Sequence, residues 1–140
     1  MRLTTCGNSC DTCLAFKENV EKLDQRDALS RAWKKYLDVD ISPQDIHCPG
    51  GACCAVGLGL VHEGCHYKEC TASHGVKHCG QCPDYPCPRF GEGRKMSEQD
   101  LREKLGDRFE LAEYEKYVKV FDNKTWVERY RKSQKRKLKG

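Results

Sequence analysis

Across residues 24–43 the apolar side chains Leu29, Ala32, Trp33, Tyr36 and Leu37 fall at i, i+3, i+4, i+7 and i+8, the stripe of an amphipathic helix. Asp24 or Asp27 is placed to cap its start, and Ser42-Pro43 lies beyond its end. Trp33 and Tyr36 are in register with the stripe, so core packing explains them better than a role in stacking on a ligand. The pattern breaks at Cys48. From there to Val61, Gly50, Gly51, Gly57 and Gly59 interrupt Ala55-Val56 and the run Leu58 to Val61, which predicts two short extended pieces around a turn. No Gly-Lys-Ser/Thr follows these glycines, which argues against a phosphate-binding loop. His66 to Ser73 is expected to make one or two helical turns, with Gly75 placed to end them.

After Phe90-Gly91-Glu92-Gly93 the texture changes. Ser97-x-x-Asp100 is a capping box ahead of Leu101 and Leu105. Phe109, Leu111, Tyr114, Tyr117, Val118, Phe121, Trp126, Val127 and Tyr130 then indicate further helix with aromatic anchors. Short helices are marginal alone, so this part is expected to dock on what precedes it. The expected fold class is α+β, mainly helical with short irregular strands. A small metal-organised, cysteine-rich domain is expected over 1–92, and a helical extension with a basic tail over 93–140.

Composition raises the next question. Only 38% of the 140 residues are hydrophobic and 33% are charged, which leaves little apolar surface to bury, while eleven are cysteine. Cross-links or metals supply the difference in such chains. Three features favour metal over disulfides. The start, Met1-Arg2-Leu3-Thr4-Thr5-Cys6, carries no apolar run that would act as a secretory signal, so a cytoplasmic location is expected. The cysteine count is odd, and would strand one thiol in an oxidised framework. Most telling, cysteines recur with only two to four residues between them, a spacing that points neighbouring thiolates into one tetrahedral site. No stretch approaches the roughly 20 apolar residues of a membrane helix.

The candidate ligands come in paired turns: Cys6-x3-Cys10-x2-Cys13, Cys48-x4-Cys53 with Cys54 adjacent, His62-x2-Cys65-x4-Cys70, and Cys79-x2-Cys82-x4-Cys87. A Cys-x-x-Cys turn offers two zinc ligands without strain, and several in one chain make a strong signal. His62 stands at knuckle spacing from Cys65, so Cys48, Cys53, His62 and Cys65 form a natural first site, with Cys53 preferred to Cys54. A second site must draw on Cys6, Cys10, Cys13, Cys70, Cys79, Cys82 and Cys87. The expected pairing joins Cys10 and Cys13 to members of the Cys79–Cys87 group. Two zinc ions are expected in all. His47, His66, His74 and His78 are off register and suit surface or ligand-supporting positions.

The run Cys6-Gly7-x-x-Cys10-x-x-Cys13, Asp45-Ile46-x-Cys48, Cys65-x4-Cys70 before Gly75-Val76, and Cys79-Gly80-x-Cys82-Pro83-Asp84-Tyr85-Pro86-Cys87 resembles a prokaryotic cysteine-rich family, DUF3795, over about residues 3–91. That resemblance implies a compact metal-binding domain using zinc, with no established activity. The chain departs from the family pattern in having Gly51 where a second knuckle cysteine is usual, so that Cys53 or Cys54 must compensate. It also has His62 where the family tends to have cysteine, which supports His62 as a substitute ligand. The C-terminal third inherits nothing from the resemblance.

An iron–sulfur cluster is the rival for the cysteines. Cys79-x2-Cys82 with Cys87-Pro88 approaches ferredoxin spacing, although the x4 gap departs from it. The knuckle Cys6-x3-Cys10-x2-Cys13 has the spacing of radical enzymes that cleave S-adenosylmethionine, but those need a barrel larger than this chain provides. A thioredoxin-like pair would need a βαβ context, and Glu63 beside His62 is a weak sign of catalytic zinc. Binding is therefore expected rather than catalysis. The partner, a protein or a nucleic acid, is suggested by the tail over 129–140, which holds seven lysines and arginines and no acid. Without those seven, residues 1–128 carry 18 basic against 21 acidic side chains, so any phosphate contact would be local to the tail, with Tyr130 able to stack on a base.

Overall fold

The computed structural model describes residues 2–50, 66–90 and 96–139, with the backbone alone given for 138 and 139. The α2 helix is the axis of the fold. It follows α1 (Lys17–Lys22) and runs Arg26–Leu37, as the apolar stripe predicts. Asp24 accepts hydrogen bonds from the Arg26 amide and guanidinium at its start. Asp38, in the left-handed region at φ 57°, turns the chain out at its end. A short 3-10 turn, Pro43–Asp45, then delivers Ile46 into the interior.

The stripe is buried on two sides. Leu29 and Trp33 pack with Phe16, Ile46 and Val120, whereas Ala32 and Tyr36 pack with Leu101, Leu105, Tyr114 and Val118. Burying a side chain such as Leu29 contributes roughly 1.5–3 kcal/mol, so this one helix organises much of the apolar free energy available. The second layer comes from the C-terminal part. α4 (Glu98–Leu105) opens with the expected capping box: the Ser97 hydroxyl accepts from the Asp100 amide at 3.1 Å and the Asp100 carboxylate from the Ser97 amide at 3.3 Å. α5 (Leu111–Glu113) widens into a π-helical turn over Tyr114–Val118, which carries both buried side chains inward. The long α6 (Asn123–Lys139) closes the order. Between these layers α3 (His66–His74) ends at Gly75, φ 67°, one residue beyond the expected helical stretch.

The strand component of the expected α+β class is not found among the described residues. The fold is mostly helical, and no sheet forms among the described residues. Extended pairing there is confined to two isolated bridges, Leu3 with Ser9 and Phe16 with Cys48. The extended pieces expected between Cys48 and Val61 lie almost wholly outside the described residues. Where strands are lacking, side chains tie the layers: Trp33 Nε1 donates to the Tyr117 carbonyl at 3.3 Å, and the Tyr36 hydroxyl donates to Glu113 Oε1 at 2.8 Å.

Tyr36 is fully buried, and its hydroxyl also accepts from the Glu110 amide at 3.0 Å. Tyr36→Phe should therefore lower stability by about 1–3 kcal/mol, the cost of leaving buried polar groups unmatched. Urea unfolding checks this, and an unchanged midpoint would show that the contact contributes nothing.

Candidate metal centre

The cysteines are positioned by backbone hydrogen bonds more than by regular structure. In the N-terminal knuckle the Cys13 amide donates to the Cys10 carbonyl, and the Phe16 amide to that of Cys13. Cys48 joins them through the Phe16–Cys48 bridge: its amide donates to the Ala15 carbonyl at 3.1 Å and its carbonyl accepts from the Lys17 amide at 2.8 Å. Earlier in the knuckle, Gly7 adopts φ 98°, and the Thr5 carbonyl accepts from the Cys79 amide at 3.3 Å. That bond sets Cys6 beside the second cysteine-rich turn. There the 3-10 turn Cys79–Gln81 brings the Cys82 amide to the Cys79 carbonyl, and Cys87 follows after a cis peptide at Tyr85-Pro86.

The result is two groups of thiols. Cys13 has Cys48 and Cys10 as its charged neighbours, and burial first, then those neighbours, push its thiol up to about 11. Cys79 has Cys6, Cys82, Cys87 and Cys70 around it, and burial with this crowding pushes it up to about 12. Both thiols are therefore protonated near neutral pH unless a cation compensates their charge. None of the eight described cysteines is in a disulfide. Clustered free thiols drawn from separate segments are the donor chemistry that zinc takes in structural sites, and the soft set disfavours magnesium or calcium.

Beside the second group lies a cavity of about 460 Å³, lined by Cys70, Cys79, Cys82 and Cys87 together with His74 and Asp84. At its rim the ligand atoms of His74, Cys82 and Asp84 all lie within 4.8 Å of one another; no other such set of three occurs among the described residues. His74 Nδ1–H donates to the Cys70 carbonyl at 2.7 Å while Nε2 faces Asp84 Oδ2 at 2.7 Å. The carbonyl first, and then the carboxylate, raise its pKa. His78 behaves oppositely. It is buried, its pKa is lowered by that burial, and its Nδ1 accepts from the Gly80 amide at 3.1 Å.

α6 seals this group from above. Asn123 Nδ2 donates to the Cys6 carbonyl at 2.7 Å, and Arg131 Nη1 donates to the carbonyls of Gly80 and Cys82 at 3.2 and 3.1 Å. The Tyr130 ring, half-buried, meets His78 edge-on at 4.7 Å. Val127 packs with Tyr67, Cys79 and Phe90.

The expected ligand set is distributed as follows. Cys6, Cys70, Cys82 and Cys87 are the thiol neighbours of Cys79, and Cys10 and Cys48 those of Cys13, while Cys10 also lines a cavity with His78 and Gln81 of the Cys79 turn. Cys53, Cys54, His62 and Cys65 lie outside the described residues. The sequence reading gave His74 only a surface or supporting role. The missed signal was Cys70-x3-His74, a spacing that puts both on one face once this stretch is a helix.

These features define a mostly helical, cysteine-rich protein with two separate gatherings of free thiols. The chain belongs to the family described as protein of unknown function (DUF3795), whose model matches residues 2–92. No curated protein and no solved structure matches it.

A Cβ on Gly7 would stand 2.4 Å from Val127 Cγ2, on a backbone with positive φ. Gly7→Ala is expected to destabilise the chain by more than about 1 kcal/mol, since strain and a clash combine. Thermal melting tests it; an unaltered transition would mean that α6 does not rest on the knuckle.

Proposed function

We propose that the protein is a zinc-binding cytoplasmic module in which the metal is structural and the surface serves a macromolecular partner. The observation that carries this reading is the division of the thiols into two groups, each joining segments remote in sequence. One ion would be held by Cys10, Cys13 and Cys48, with a fourth ligand from Cys53, His62 or Cys65. The other would be held by four of Cys6, Cys70, Cys79, Cys82 and Cys87. A divalent cation removes the charge penalty that burial imposes on these thiolates, so metal binding and folding are coupled. The residues over 1–92 act as the metal-organised unit, and those over 93–140 as the part that covers it.

Metal analysis of anaerobically purified protein is expected to give about two zinc per chain. Cys13→Ser and Cys79→Ser should each remove one ion, because they belong to different groups. Chelation should collapse the helical circular dichroism signal; a chelated chain with an unchanged spectrum and melting temperature would refute a structural role.

A second reading, an iron–sulfur electron-transfer protein, is favoured by one observation: Cys79 and the four thiols around it lie next to an open cavity, and a cubane cluster takes four thiolates. The same sample decides it, since iron with acid-labile sulfide and absorbance bleached by dithionite would replace zinc.

For the partner, Tyr130 and Arg131 already make contacts within the fold and Arg129 lies over the Trp126 ring, so among the described side chains of the tail the exposed basic ones without such a contact are Lys132, Lys135, Arg136 and Lys137. If these meet nucleic acid, binding to single-stranded DNA should weaken with salt at a slope of about −3 in log–log terms, from four contacts. Replacing all four by glutamine should abolish it. Binding that survives that replacement would assign the tail no such role.

A further inference from the structure

We propose that His74, Cys82 and Asp84 form a third cation site, separate from the cysteine-held ions and open to the adjoining cavity. The three ligand atoms lie within 4.8 Å of one another, close enough to share one ion. They come from two segments, the last turn of α3 and the loop that follows the Cys79 turn, so the site does not arise from sequence proximity alone.

The orientation of His74 is the second support. Its Nδ1–H is fixed on the Cys70 carbonyl, which leaves Nε2 aimed at Asp84 and Cys82. A backbone carbonyl on the far nitrogen is the arrangement that sets the tautomer and direction of metal-binding imidazoles. Thiol counting gives the third. Cys79 and its four thiol neighbours make five, one more than a tetrahedral ion takes, and Cys82 is the member with an imidazole and a carboxylate beside it. The inference thus extends the structural-zinc reading by assigning the surplus thiol, and it concerns a different ion.

The donor set also states the class of cation. Thiolate, imidazole and carboxylate together suit zinc or cobalt(II) over magnesium or calcium. Three protein ligands leave a tetrahedral ion one position for water or a small ligand, as in exchangeable zinc sites rather than closed ones. Exposure agrees: the His74 side chain is 33% and that of Asp84 65% accessible, so the ion would sit at the rim and exchange with solvent.

The test uses the full chain, purified without oxygen and dialysed against a weak chelator that strips exchangeable metal. Titration with cobalt(II), followed by its d–d and thiolate charge-transfer absorption, should show one further ion per chain beyond the metal retained. His74→Ala and Asp84→Asn should each weaken that uptake by about tenfold or more, the scale on which even outer ligand contacts act. Retained metal and melting temperature should stay at wild-type values in both. Asp84 is exposed, so its variant tests the site without disturbing the fold. No uptake beyond the retained metal would overturn the proposal, as would variants that bind the extra cobalt like wild type. So would variants that lose retained metal, because His74 or Asp84 would then serve the structural centre. A chain that retains no metal yet still takes up one cobalt ion dependent on His74 would refute the structural-zinc reading and leave this site standing.

Discussion

Thiols crowded into a buried place repel one another as soon as they ionise, and Cys79 is the point at which this constraint is sharpest. Its neighbours Cys6, Cys70, Cys82 and Cys87 come from three stretches of the chain, and its own thiol is held strongly protonated. Elements that would otherwise have no reason to meet are gathered around it: the start of the chain, the end of α3, the Cys79 turn and α6. In the proposed reading a cation converts that mutual repulsion into a cross-link. A chain with only 38% hydrophobic residues gains from such a device what a larger apolar core would otherwise supply.

The C-terminal helix belongs to the same construction although it lies beyond the residues matched by the family. Asn123 and Arg131 hold carbonyls of Cys6, Gly80 and Cys82, and Val127 fills the space above Gly7. The basic residues of this region therefore divide into two kinds. Arg131 donates hydrogen bonds to the carbonyl rim of the cysteine turn and covers the Tyr85 ring at 5.0 Å, whereas Lys132, Lys135 and Lys137 are exposed.

Periodicity and capping were legible in the sequence because they are local. The stripe from Leu29 to Leu37 gives α2, and Ser97 with Asp100 gives the start of α4. The cysteine spacings also singled out the thiols that neighbour Cys13 and Cys79 in the fold. What spacing does not carry is which turn faces which, since that depends on long-range bonds such as Cys79 to Thr5 and the Phe16–Cys48 bridge. His74 read as a surface or ligand-supporting residue because Cys82 and Asp84 lie eight and ten residues on, across a turn. The extended pieces expected in the glycine-rich texture lie almost wholly outside the described residues, among which side-chain bonds such as Trp33 to Tyr117 and Tyr36 to Glu113 tie the helices together.

The bond from Asn123 to Cys6 spans 117 residues. A ribosome adds about 5–20 residues each second, so on the order of ten seconds separate the emergence of these two partners. Throughout that interval the first thiols of the chain are uncovered, and whatever metal donor or oxidant is at hand reaches them before the helix that will shelter them exists. The order of synthesis thus gives the surroundings of the nascent chain the first chance to decide the fate of Cys6.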